Sequence, residues 1–104
     1  MAHEFVTVAR VGDVPVGQGR QVTVEGRWVA LFNVGGAYHA LDNLCLHRGG
    51  PLAEGAIGNG TVTCPWHGWQ YDIATGTMIQ DQRVGVTRHE ARVVGDEIQV
   101  RLAD

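Results

Sequence analysis

A chain of 104 residues, 44% hydrophobic and 18% charged, has the size and composition of one globular domain with a modest core. A net charge of −3 without any basic run argues against nucleic acid or an anionic membrane as the main partner. No apolar stretch approaches the ~18 residues that a bilayer span needs, and the opening MAHEFVTVAR lacks the basic-then-apolar pattern of an export signal. The expected compartment is therefore the cytoplasm, and there the two cysteines point to metal or redox chemistry rather than to a disulfide.

In chain order, the elements are short strands punctuated by turn residues. QVTV (Gln21–Val24), a turn at Glu25-Gly26 and RWVALFNV (Arg27–Val34) read as a hairpin. Its second arm is apolar on both faces, as a central strand would be, and the alternation assigns Trp28 to the core. Gly35-Gly36 then turns into AYHALD (Ala37–Asp42), and Asp42 with Asn43 is expected to form the turn that starts the next loop. PLAEGAIG (Pro51–Gly58) holds at most one helical turn, and Asn59-Gly60 is a tight-turn signal before TVTC (Thr61–Cys64). ARVV (Ala91–Val94) and the cleanly alternating EIQVRL (Glu97–Leu102) flank a turn at Gly95-Asp96. With no convincing helix and no internal repeat, the expected class is all-β, a sandwich or barrel-like domain over residues 1–104.

Two loops carry the chemistry. CLHRGG contains Cys45-x-His47, and after sixteen intervening residues CPWHGW contains Cys64-x-x-His67. Each pair follows a predicted strand, and the hairpin turning at Asn59-Gly60 can bring the loop tips side by side. Each loop would then offer one thiolate and one imidazole to a shared centre. Gly49, Gly50 and Gly68 leave room for backbone N–H groups to approach it, while Pro51 and Pro65 stiffen the loops. Two centres fit such a set. A structural zinc takes two thiolates and two imidazoles in one tetrahedron, which would make the chain a zinc-binding interaction module. An iron–sulfur centre takes the thiolates on one iron and the imidazoles on the other. Zinc gives no reason for Trp66, Trp69 and the glycines around the ligands.

CLHRGGPL and CPWHGWQYD resemble the two ligand boxes of Rieske proteins, and the all-β pattern ending in GDEIQVRL resembles the Rieske ferredoxins over nearly the whole chain. The resemblance implies an antiparallel β-sandwich with a small cluster-binding subdomain, about 43–72, and one [2Fe–2S] cluster per chain. It implies that Cys45 and Cys64 hold the buried iron, and that His47 and His67 hold the outer iron with one ring nitrogen each left at the surface. Leu46, Arg48, Pro65, Trp66 and Gly68 would form the cover. The high-potential members of the family carry a loop-linking disulfide, and a Ser and a Tyr that bond to cluster sulfurs. Gly50 and Trp66 stand at the disulfide positions here, Trp69 at the Ser, and Tyr71 at the Tyr. A neutral oxidised cluster accepts an electron more readily than a four-thiolate dianion, which places such centres at about −150 to +300 mV. The departures point to the lower part of that window, with Tyr71 either raising the potential through a sulfur contact or simply packing in the core.

The function implied is a one-electron carrier, not an enzyme. It would take electrons from a flavin-containing NAD(P)H reductase and pass them to a terminal aromatic-ring-hydroxylating oxygenase, acting as a monomer without a small-molecule substrate. The exit would be His47 and His67, within an apolar rim of Leu46, Pro65, Trp66 and Trp69. The alternative within the family is the small subunit of an assimilatory nitrite reductase. His3, His39 and His89 lack a partner Cys at ligand spacing and read as surface or satisfied strand residues. Asp81, Glu90, Asp96 and Glu97 read as solvated faces. The resemblance also leads one to expect a Pro-containing third loop over the cluster, and GTMIQDQRVGVTR (Gly76–Arg88) has no Pro.

Overall fold

The computed structural model describes residues 3–45, 50–66 and 68–103. Among the described residues, nine strands and one short 3₁₀ turn follow in order: β1 (Val6–Arg10), β2 (Gly19–Val24), β3 (Arg27–Val34), β4 (Ala37–Asp42), the turn at Leu52–Glu54, β5 (Ala56–Gly58), β6 (Thr61–Thr63), β7 (Gln70–Asp72), β8 (Arg88–Val94) and β9 (Glu97–Arg101). They build a six-stranded sheet in the order β1-β9-β8-β4-β3-β2 and a three-stranded sheet in the order β5-β6-β7. Every pairing is antiparallel, which short turns between sequential strands favour.

The β2–β3 hairpin runs in register from Val24↔Arg27 to Gly19↔Phe32, and β3–β4 from Val34↔Ala37 to Val29↔Asp42. The large sheet curls until β1 comes back against β2. Its concave side closes on Val22, Val24, Val29, Leu31, Ile98 and Val100. The alternation of β3 explains why this strand is apolar on both faces. Val29 and Leu31 point into that inner core, while Ala30 and Phe32 join a second core with Leu52, Val62, Tyr71 and Ile73, under the small sheet. Phe32 and Leu31 are fully buried, and each contributes about 1.5–3 kcal/mol by leaving water.

Trp28 departs from the expected core position: it is 56% exposed. Its parity places it on the same face as Ala30 and Phe32, but it stands near the start of β3 and belongs to neither core cluster. Pro51–Gly58 holds both a 3₁₀ turn and a three-residue strand, β5, where at most a helical turn is read from the sequence. Asn59 and Gly60 have φ of 55° and 74°, the left-handed pair that a two-residue hairpin turn requires, and this turn sets the β5–β6 register.

Candidate metal centre

The first ligand loop leaves the end of β4, and its root is tied down from three sides. Asp42 is the last residue of β4 rather than a turn residue. Its carboxylate accepts Arg27 Nε and a terminal guanidinium nitrogen at 2.9 and 2.7 Å, and His89 Nε2 at 2.8 Å. The Ala103 N–H donates to His89 Nδ1 at 2.9 Å, so the ring proton is on Nε2 and points to Asp42. Partial burial alone would push the Asp42 carboxyl up, but the bonds from Arg27 and His89 outweigh it and hold the carboxyl below the usual carboxylate value. His89 is thus a satisfied strand residue with no exposed side-chain surface. Asn43, 1% exposed, accepts the Ala53 N–H at 2.7 Å and donates to Gln21 Oε1 at 2.7 Å. These bonds satisfy polar groups that burial would otherwise make costly, and they fix where the loop departs.

The second loop is the connection of the β6–β7 hairpin. It closes through Cys64 N–H to Trp69 C=O at 2.7 Å and Gly68 N–H to Cys64 C=O at 3.1 Å. Gly68 sits at φ 74°, the left-handed conformation that lets the chain turn back toward β7.

The two loops converge on Cys45 and Cys64, which are 2% and 1% exposed and belong to one core with Leu52, Val62 and Tyr71. Gly50 joins them. Its carbonyl accepts the Cys45 N–H at 2.9 Å, and a Cβ placed on it would come within 3.3 Å of Cys64 Sγ. The hydroxyl of Tyr71, itself fully buried, lies 3.4 Å from Cys45 Sγ. Tyr71 thus packs in the core with its hydroxyl beside a cysteine sulfur. Pro65, Trp66 and Gly68 are exposed on the outer side of the second loop, while Trp69 is half-buried against the core. Leu46, His47, Arg48 and His67 lie outside the described residues. Among the described residues, no set of three or more His, Cys, Asp or Glu gathers into a metal site.

The family model of the Rieske [2Fe-2S] domain matches residues 4–94. The chain belongs to the Rieske [2Fe-2S] family. It is similar over 72 residues, 69% of its length, to apoptosis-inducing factor 3 of Mus musculus, with 42% identity, but spans only 12% of that protein. Over 99% of its length it is 26% identical to the ferredoxin component of the naphthalene 1,2-dioxygenase system of Pseudomonas aeruginosa, all of which it covers. Among solved structures, the ferredoxin of carbazole 1,9a-dioxygenase from Nocardioides aromaticivorans superposes with a TM-score of 0.86 at 27% identity, over 92% of this chain and 95% of that one. A Mycobacterium tuberculosis protein assigned as an NADH-dependent nitrite reductase small subunit superposes with a TM-score of 0.90 at 26% identity, over 98% and 97%. A complex of reduced oxygenase and oxidized ferredoxin in carbazole 1,9a-dioxygenase also matches, with a TM-score of 0.84 at 26% identity, covering 92% of this chain and 91% of that one.

The family's cofactor is a Rieske-type [2Fe–2S] cluster, one per chain, and the naphthalene and carbazole dioxygenase proteins that match along nearly the whole chain are ferredoxins. The described residues fit the sulfur side of such a cluster. Two thiolates in one apolar core are costly unless cations share the site, which two irons supply. Gly50, with no side chain, lets its backbone lie close to Cys64 Sγ, and Tyr71 offers a hydrogen bond to Cys45 Sγ.

The third loop holds its shape without proline. Thr77 and Met78 pair with Gly85 and Tyr71, and Ile79 N–H donates to Gln70 C=O at 2.8 Å. The neck is pinched where Gly76 and Gly85 meet: a Cβ on either would come 2.4 Å from a carbonyl of the facing strand. Met78 is buried in the same core as the cysteines. Of the acids expected to be solvated, Glu90 and Asp96 are exposed, whereas Asp81 and Glu97 are half-buried. Asp81 pairs with Arg83, Asp96 with Arg10 and Glu90 with Arg101, while Glu97 accepts the Thr7 hydroxyl. No local pattern announces the Arg27–Asp42–His89 set, whose members are 15 and 47 residues apart.

Proposed function

We propose that the chain, as one Rieske domain over residues 1–104, passes single electrons from a flavin-containing NAD(P)H reductase to a terminal ring-hydroxylating oxygenase in the cytoplasm. The observation that carries this reading is the polarity of the site: both cysteines are buried in the core while the outer residues of the second loop face solvent. When bound, the cluster supplies a reversible one-electron change in that position. Cys45 and Cys64 would hold the inner iron, and His47 and His67 the outer one, with their second ring nitrogens at the surface. Tyr71 would donate to the Cys45 sulfur. Pro65 and Trp66, with Leu46 and the half-buried Trp69, would give a partner an apolar, small and short-lived contact. The naphthalene and carbazole dioxygenase ferredoxins, which match along nearly the whole chain, support the oxygenase as acceptor.

The likeness to the nitrite reductase small subunit favours a second reading, in which the same centre serves a siroheme enzyme within a stable complex. Affinity purification of the tagged chain from its own cells separates the two. A transient carrier elutes alone, is bleached by NAD(P)H with a flavoprotein reductase, and recovers its colour when an oxygenase is added. Stoichiometric copurification with a siroheme protein would establish the second reading. A colourless preparation holding zinc and no acid-labile sulfide would overturn both in favour of the zinc-binding module.

A further inference from the structure

Gly50 and Trp66 meet at the seam between the two ligand loops. A Cβ on Gly50 would lie 3.0 and 3.1 Å from Trp66 Cδ2 and Cγ, and 3.3 Å from Cys64 Sγ. Each of these distances is closer than ordinary van der Waals contact, so even a methyl group would force the indole to shift. Gly50 is not among the residues with positive φ, so backbone conformation does not select glycine there; space does. Its carbonyl meanwhile accepts the Cys45 N–H at 2.9 Å, which ties the same residue to the first cysteine. Trp66 is 56% exposed. One part of the indole therefore rests on Gly50 while much of the rest meets water.

We propose that Gly50 and Trp66 form an inter-loop clasp: the indole seated on the bare Gly50 backbone closes the seam between the loops and keeps water from the Cys64 sulfur. Both are positioning residues, acting through Cys64, and the inference rests on the reading of Cys64 as an iron ligand. The clasp is held by dispersion contacts. It resists opening by fit alone, and thiol reductants cannot release it.

The test uses the purified holoprotein as wild type, Trp66→Ala, Gly50→Ala, the double variant and Trp66→Phe. Iron loss to a ferrous chelator and the midpoint by protein-film voltammetry are read for each. Trp66→Ala is expected to lose iron roughly three- to tenfold faster, as the loss of about 0.7–1.4 kcal/mol of closed-state stability would give. Its midpoint rises, because water reaching the sulfur stabilises the added negative charge. Gly50→Ala moves both readouts in the same direction by lifting the indole, and Trp66→Phe restores most of the wild-type behaviour. In the double variant the methyl occupies vacated space, so iron loss is no faster than in Trp66→Ala. Wild-type rates and midpoints in both single variants, or effects that simply multiply in the double, would overturn the clasp. Since Trp66 is an exposed loop residue, its variants are expected to fold, and Gly50→Ala tests the contact independently of them. A Cys64→Ala protein that keeps an unaltered cluster would instead overturn the ligand reading beneath it.

Discussion

Replacing Tyr71 by Phe removes one hydroxyl from the centre and little else. The ring is fully buried, its packing against the core stays, and the lost group is a hydroxyl 3.4 Å from Cys45 Sγ. Reduction places additional negative charge on the cluster and its thiolates, so a donor to sulfur stabilises the reduced state more than the oxidised one. A protein hydrogen bond has a net value of about 0.5–1.5 kcal/mol. If about 1 kcal/mol of it separates the two oxidation states, the one-electron conversion of 59 mV per tenfold gives a fall of ~40 mV. Protein-film voltammetry of wild type and Tyr71→Phe near neutral pH reads this directly. The reduced EPR g-values should hardly change, because no iron ligand has been altered. A midpoint that is unchanged or higher in Tyr71→Phe would refute the hydrogen bond as a determinant of potential and leave Tyr71 a packing residue.

Three other outcomes are expected. With His47 and His67 holding the outer iron as proposed, the midpoint should fall at alkaline pH, because a more positive oxidised centre lowers the pKa of imidazole ligands further than the reduced one does; a flat profile to strongly alkaline pH would exclude exposed imidazole ligands. The Asp42 carboxyl is held below its ordinary value of 3.8 in the folded chain, so its contribution to stability is present above that pH and is lost as acid reaches the lowered folded value. Asp42→Asn should therefore be less stable than wild type near neutrality and flatten the acid limb of a denaturation series, whereas an unchanged acid limb would show that the Arg27–Asp42–His89 set adds nothing. Trp28→Ala should change unfolding free energy by less than about 1 kcal/mol, since the side chain is 56% exposed; a loss of ~3 kcal/mol in urea titration would return it to the core.

Local signals in the sequence were legible where a single stretch of chain decides the outcome. The β2–β3 hairpin ends where its turn residues put it, and β9 buries Ile98 and Val100 as its alternation requires. Trp28 shows the limit of the same logic. Alternation reports which face a side chain takes, while coverage depends on how far the small sheet extends over Ala30 and Phe32. β5 was missed because Ala56–Gly58 is too short to show a period, and only pairing with β6 makes it a strand. The cysteine pairs were legible because loop spacing is local. The Asp42–His89 bond and the Gly50–Trp66 contact join residues distant along the chain, and no pattern within one segment announces either.

Low-temperature EPR of the dithionite-reduced protein is the most direct test of whether Cys45, Cys64, His47 and His67 share one pair of irons. Mixed thiolate–imidazole ligation predicts a rhombic signal whose average g lies below that of a four-thiolate cluster. A four-thiolate signal would contradict that ligand set, and so would a protein with no paramagnetic reduced state.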